Sequence, residues 1–462
     1  MWWSLFRSTF TAFGILIVSG STSAAQELDW MRTPAVSAPG SADRLYPFFA
    51  AGRELAAEGY IEEEWFVAGH ATPLSAKYGV EPGHAAVATG PAKPFKTRVL
   101  VRRPDRPVRF NGVVVVEWLN VSNGFEADNV WLALQDHLVG AGYIWVGVSA
   151  QGFGGSDALW AWSPARYAGL SIEHGGAMAR EPLSLDIFRQ VVESLRGVDG
   201  AAQLGGLMPT TLIATGQSQG AIWLSGLINA GIARRPYFDG FLLVSGTGAK
   251  IDTASPFPVL RIVAEGDAAG ADAEGQAQDT ARFRQWEIAG SSHVDRHLRA
   301  MREPIQMRDL GTSVQAAIAP RCTVAAIGTT TPAYMVEVAG LSRLVIWARG
   351  GPPPRSAPRL ARRPDVDGRL QRDANGVVLG GIRLPDVAAP VGVNVGKNNG
   401  APACGGQGYY QAFDVATLRR LYPSTGRYRQ AVARNVRENI AAGYLLPADG
   451  ELLMRAARKA SW

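Results

Sequence analysis

Apolar positions along this chain fall into short runs divided by turn-forming residues, and the period of each run predicts its element. Tyr60 to His70 (YIEEEWFVAGH) and Phe95 to Arg103 (FKTRVLVRR) alternate apolar with polar residues, as half-exposed strands do. Gly112 to Leu119 and Tyr143 to Ser149 are apolar almost throughout and rich in β-branched and aromatic residues, which predicts strands buried on both faces. Thr211 to Ile213 leads the same way into a Gly-rich turn, and Gly240 to Ser245, Pro258 to Ala264 and Arg282 to Ala289 are further strands. Helical spacing runs from about Asn129 to Ala141, from Leu183 to Gly197, and again after Gly220. Strands alternating with helices at this spacing predict an α/β fold, a mostly parallel sheet with helices on both faces.

Beyond His293 the pattern changes. Helical segments are predicted at Tyr334 to Ala348, Asp414 to Tyr422, Tyr428 to Ala442 and Ala448 to Lys459, with a Pro/Arg-rich loop at Gly350 to Arg363. A hairpin is expected around Asn375-Gly376, a pair suited to a type I′ turn. The expected organisation is a core over 47–300 and an extension over 301–462 that packs on it and contributes to a pocket roof. No internal repeat is visible.

The first residues change the picture in another way. Met1 to Phe10 carries Arg7 as its one charge, Thr11 to Gly20 is a short apolar core, and Ser21 to Ala25 supplies small residues. This is the pattern of a secretory signal peptide over 1–25, cleaved after Ala24 or Ala25, and it is short for a membrane span. A Pro/Ala/Ser-rich, poorly ordered lead-in is expected over 26–46. The mature chain is therefore expected to be secreted or periplasmic, without stable membrane insertion.

Composition adds exclusions. Among 462 residues, 47% are hydrophobic and 19% charged, an ordinary globular balance. The formal net charge is +6, but the cations are interspersed with acids and form no aromatic-interleaved stripe, so nucleic acid is not an expected partner. The two cysteines, Cys322 and Cys404, have no C-x-x-C spacing and no neighbouring His pair. In an oxidising compartment such a pair points to a disulfide rather than a metal site, with two separate buried thiols as the alternative.

The candidate chemistry sits at Gly216-Gln217-Ser218-Gln219-Gly220, between a short strand and a helix-like segment. G-x-S-x-G in that context is a nucleophile elbow, the sharp turn that lifts a serine hydroxyl above a sheet. The α/β-hydrolase order then requires an acid and a histidine further on. Asp267 and Glu265 both follow the strand ending at Ala264; Asp267 is favoured by its spacing, and Asp272 ranks third. His293 lies after the last strand of the core, in a Gly-Ser-Ser loop. Oxyanion donors are expected at the backbone N–H of Gln219 and in the loop after the third strand, at Asn120 or Val121. Phe153, Trp160 and Trp162 are candidate pocket residues, with core packing as the alternative. Gly152 to Gly155 lacks full dinucleotide-loop spacing and reads as a turn.

Glu117-Trp-Leu-Asn-Val-Ser-Asn-Gly124 together with Gly216 to Gly220 resembles the large secreted α/β hydrolase domain-containing proteins, which carry an EWLNV segment and a GQSQG motif. The resemblance extends through Trp286 to His293, Trp347 to Pro354 (WARGGPPP), Arg372 to Pro385 (RDANGVVLGGIRLP) and Leu421-Tyr-Pro. It implies an α/β-hydrolase fold and a serine carboxylic-ester hydrolase using Ser218 and His293. It also implies that Cys322 and Cys404 belong to a shared C-terminal region. Both Glu265 and Asp267 remain as acids, because the family's loop carries both. The expected activity needs no metal and no organic cofactor and acts on a small-molecule or polymeric ester through an acyl-enzyme. Lactone, thioester or polyester cleavage, or a catalytically silent binding protein, are the alternatives.

Overall fold

The apolar and alternating runs become one nine-stranded sheet in the computed structural model, which describes residues 35–37, 44–75, 81–247, 249–268, 278–363 and 370–462. Its strands are β1 (Ala35–Ser37), β2 (Tyr60–Ala71), β3 (Lys93–Pro104), β4 (Val113–Trp118), β5 (Ile144–Val148), β6 (Thr211–Gln217), β7 (Gly240–Val244), β8 (Val259–Ala264) and β9 (Phe283–Ile288). They lie in the order β1-β2-β3-β5-β4-β6-β7-β8-β9. The first three are antiparallel to their neighbours, with β2 and β3 in register from Tyr60↔Pro104 to Ala71↔Lys93. From β5 to β9 every pair is parallel. β4 through β8 are buried at every position, as their apolar runs predict, and β2 mixes buried with partly exposed positions. β3, expected to be half-exposed, is instead buried from Thr97 to Arg102, because Arg98 and Arg102 are ion-paired with Glu126 and Asp128.

Two groups of helices cover the sheet. α1 (Asn129–Gly140), α4 (Arg296–Leu310) and α5 (Ala333–Ala348) pack together, and α2 (Ser184–Ser194) packs with α3 (Gln219–Asn229). α5 belongs to the segment beyond residue 300, yet Leu341, Leu344 and Val345 share one core with Ile213, Leu242, Leu260 and Trp286. Ile382 continues this, bridging Ile288 in parallel beside β9. The C-terminal third is thus built onto the sheet itself.

Glu117 is an unexpected ionisable side chain inside a fully buried strand. Its carboxylate accepts from the N–H groups of Val130 (2.8 Å) and Trp131 (2.9 Å) at the start of α1, and from Trp145 Nε1 (2.9 Å). Burial, with Asp128 nearby, pushes it up to about 8 against the pull of those donors. It supplies the acceptor that the first turn of a helix lacks, and it clamps both ends of the loop from Leu119 to Asp128.

Two further elements differ from expectation. α4 was not legible, because its sequence RHLRAMREPIQMRDL contains Pro304 and buries Arg302, Gln306 and Asp309 along with Leu298 and Ile305. A buried stripe made of polar residues has no hydrophobic period. At Asn375-Gly376, Gly376 has a positive φ (81°) but Asn375 does not, so the turn is not type I′. Asp373 takes over: its carboxylate accepts from Asn375 N (2.9 Å) and Val377 N (3.0 Å), and its carbonyl accepts from Gly376 N (3.0 Å).

Residues 1–25, most of 26–46, and Asp272 lie outside the described residues; within 26–46, Ala35–Ser37 pairs with β2. Among the described residues no helix is long and apolar enough to cross a membrane.

Candidate active site

β6 ends at Gln217 and α3 begins at Gln219, so Ser218 alone makes the turn between them. Its backbone sits at φ 58° and ψ −117°, a region costly to a residue with a side chain, by roughly 1–3 kcal/mol. The turn is held by Ser218 N–H donating to Val244 O (2.8 Å) and by Ile222 N–H donating to Ser218 O (3.1 Å). Both flanking glycines are sterically required. A Cβ on Gly216 would lie 2.7 Å from Gly220 C, and one on Gly220 would lie 2.6 Å from Trp118 O.

His293 reaches this turn from the loop after β9. Its Nδ1 lies 2.8 Å from Asp267 Oδ1. Glu265, the competing acid, is turned elsewhere: it is 1% exposed, accepts from Gly290 N (2.7 Å) and Gly396 N (3.1 Å), and pairs with Arg372. Glu265 therefore ties the histidine loop to the C-terminal segment, while Asp267 holds the imidazole. Burial disfavours the imidazolium, but the charge and hydrogen bond of Asp267 outweigh it against opposition from Arg302, so the His293 pKa is raised.

The second imidazole nitrogen is occupied too. Gln217 Nε2 lies 3.2 Å from His293 Nε2, and the hydrogen bond at that nitrogen comes from this amide rather than from the Ser218 hydroxyl. Proton-transfer contacts of resting sites commonly tighten only when substrate arrives.

The oxyanion loop separates its candidates. Asn120 N–H donates to Ala127 O (3.0 Å), so that donor is committed within the loop. The Asn120 side chain donates to Gln217 O (3.1 Å) and accepts from Ser122 N (2.9 Å). Val121 N–H donates to Gln219 Oε1 at 3.2 Å, and a side-chain rotation releases it. Gln219 in turn bonds Gln151, which also accepts from Trp118 Nε1 (3.0 Å). Asn120 N–H is thus set aside, and the N–H groups of Val121 and Gln219 remain as the candidate donors.

Sequence comparison matches residues 33–455 to the family described as "Alpha/beta hydrolase domain". The chain belongs to this family. Solved structures that resemble this α/β hydrolase include the rice cell wall degrading esterase LipA from Xanthomonas oryzae (14% identity, 46% of this chain and 50% of that one, TM-score 0.26). Others are Est1E from Butyrivibrio proteoclasticus (12%, 47% and 94%, TM-score 0.28) and XC6422 from Xanthomonas campestris, described as an α/β serine hydrolase without lid (19%, 51% and 94%, TM-score 0.29). The chain spans half the length of LipA. No curated protein matches it.

The three aromatic candidates have different surroundings in this α/β hydrolase. Trp162 packs against Phe48 and Tyr167 and donates to Asp309 O (3.0 Å), which makes it a core residue. Trp160 is exposed and lines an open groove with Asp157, Leu170 and Ile172. Phe153 precedes Gly154, whose Cα side abuts Val121: a Cβ there would lie 3.1 Å from Val121 Cβ. Of the three, Phe153 is the one whose chain neighbour, Gly154, touches the loop at Val121. Among the described residues no group of three or more His, Cys, Asp or Glu is arranged to hold a metal ion.

The C-terminal third of the hydrolase closes on His293. Val294 N–H donates to Gly406 O (3.0 Å), and a Cβ on Gly406 would lie 3.5 Å from His293 Cβ. Two residues before Gly406, Cys404 is disulfide-bonded to Cys322, so the pair is a bridge and not two thiols. The bridge closes a separation of 82 residues and pins the segment that backs His293. Replacing both cysteines by serine is expected to lower stability by about 2–5 kcal/mol. Chemical denaturation of the oxidised protein and the double variant measures this, and equal midpoints would contradict it.

Sequence reading missed Gln217, Asn129 and Arg302 as site residues. Gln217 stood inside the motif and could have been found there. Arg302 could not, since nothing in the sequence places α4 behind the histidine.

Proposed function

We propose that this protein is an exported serine hydrolase that cleaves carboxylic esters through an acyl-enzyme on Ser218. The observation that carries the reading is the strained elbow at Ser218 together with an imidazole held through Nδ1 by Asp267. Ser218 Oγ attacks the ester carbonyl carbon while its proton passes to His293 Nε2. The carbonyl oxygen, now negative, displaces Gln219 Oε1 from Val121 and takes that N–H together with the N–H of Gln219. The carbon–alkoxy bond then breaks, the imidazolium returns the proton to the leaving alcohol, and water repeats the sequence to release the acid. Asp267 keeps the proton on Nδ1 and stabilises the imidazolium. Export is supported by the N-terminal signal pattern and by the disulfide. The substrate is a small-molecule or polymeric ester that reaches the protein outside the cytoplasm.

A fluorophosphonate probe tests the assignment directly. Labelling mapped by peptide mass spectrometry to Ser218, with turnover of short-chain nitrophenyl esters, is the expected result. An unlabelled, inactive folded protein would overturn it.

A further inference from the structure

Behind His293 runs a line of three buried polar side chains. Arg302 Nη1 on α4 donates to Asn129 Oδ1 (3.3 Å), Asn129 Nδ2 at the start of α1 donates to Gln217 Oε1 (2.9 Å), and Gln217 Nε2 meets His293 Nε2 (3.2 Å). Arg302, Asn129 and Gln217 are 3%, 3% and 5% exposed. An amide can face either way, but a guanidinium has donors only. Arg302 therefore requires the oxygen of Asn129, which turns the Asn129 NH₂ to Gln217, which requires the oxygen of Gln217 there. The Gln217 NH₂ is left facing His293, its nitrogen 3.2 Å from Nε2 and 3.4 Å from the His293 carbonyl oxygen, which accepts from the same group. Nε2 must accept, and the ring proton must sit on Nδ1, where Asp267 receives it. Burial lowers Arg302 only to about 10, so it stays charged and donor-only near neutrality.

We propose that Arg302, acting through Asn129 and Gln217, is a positioning residue that fixes the tautomer of His293 and opposes its protonation in the resting enzyme. The imidazole then waits as the Nδ1–H base, and the Ser218 hydroxyl replaces the Gln217 amide at the same lone pair. This consequence for rate rests on the serine-hydrolase reading, whereas the state of the ring does not. Other groups face the same place. Asp267 pulls the ring toward protonation, and Asp295, His297, Tyr334 and Glu337 line a cavity of about 20 Å³ that also touches Gln217 and His293. None of them interrupts the line from Arg302.

The test is ¹⁵N NMR of the histidine rings across pH in the full chain, with His293 assigned by His293→Gln, alongside the pH profile of kcat/KM for a nitrophenyl ester. The wild type is expected to show a neutral ring protonated on Nδ1. Asn129→Leu and Gln217→Met both leave net charge unchanged. Gln217→Met removes the N–H itself, and Asn129→Leu removes the donor that turns the Gln217 oxygen away, leaving only the 3.4 Å bond to the His293 carbonyl to orient the amide. Each should raise the His293 midpoint and the acid limb of kcat/KM by about 0.5–1 in pH, the size of one neutral hydrogen bond. Arg302→Lys keeps a charged donor and should leave the midpoint at its wild-type position. A neutral ring protonated on Nε2 in the wild type overturns the proposal without any variant. So does a midpoint that stays put in Asn129→Leu or Gln217→Met while the rate falls, which is what packing alone would give. If the ring behaves as expected but no ester is turned over, the relay stands and the hydrolase reading fails.

Discussion

Ser218→Ala is expected to lower kcat for ester hydrolysis by about 10⁶-fold while leaving the fold intact. The substitution removes only the hydroxyl. The backbone conformation at φ 58° is already held by the bonds to Val244 and Ile222, and alanine carries the same Cβ through that strained turn. Thermal stability should therefore hold or rise slightly, and that separates lost chemistry from lost structure. A residual rate above water is expected, because Val121 and Gln219 N–H still polarise a bound carbonyl. Steady-state turnover with thermal denaturation on the same preparation measures both quantities. Turnover within tenfold of wild type would remove Ser218 from the mechanism.

The elbow was legible for a physical reason: it is local. A buried strand, two glycines that no larger residue can replace, and a helix all lie within about twenty consecutive residues, so pattern and geometry carry the same information. The strand positions were legible likewise, because burial on both faces leaves continuous apolar runs such as Val113–Trp118. The strand order was not, since β5 inserting between β3 and β4 depends on crossovers rather than on composition. The long-range polar network was invisible altogether. Arg302 meets Asn129 across 173 residues, and Glu265 meets Gly396 across 131. Such bonds are specified by the buried groups at both ends, and neither end looks unusual alone.

Gln217, Ser218 and Gln219 show how densely one turn can be used. The first glutamine points to the imidazole, the serine is the candidate nucleophile, and the second covers Val121 N–H. Each amide occupies a place that a reacting group would need. Substrate must then compete with internal hydrogen bonds, each worth roughly 0.5–1.5 kcal/mol net. A site so satisfied is stable when empty and gives up its partners cheaply.

The two acids should separate by both rate and stability. Asp267→Asn is expected to cost about 10⁴-fold in kcat, since an amide there no longer fixes the proton on Nδ1 or stabilises the imidazolium. The acid limb should move as well. With the neutral ring as the proposed base, activity should fall as pH drops through the His293 pKa. Asp267 is what raises that pKa, while burial and Arg302 lower it. Removing Asp267 must therefore carry the limb to lower pH, even as the plateau collapses. Glu265→Gln should do the opposite kind of damage. It loses charge against Arg372 and the fit to Gly290 and Gly396, costing about 1–3 kcal/mol of stability, with kcat reduced by no more than about tenfold. Parallel pH–rate profiles and urea titrations of the two variants decide the matter. If the Glu265 variant is the one that loses four orders of magnitude while remaining stably folded, the acid has been assigned to the wrong carboxylate. A folded Asp267 variant with an unmoved acid limb would mean that the 2.8 Å contact to Nδ1 is not what raises the pKa of the imidazole.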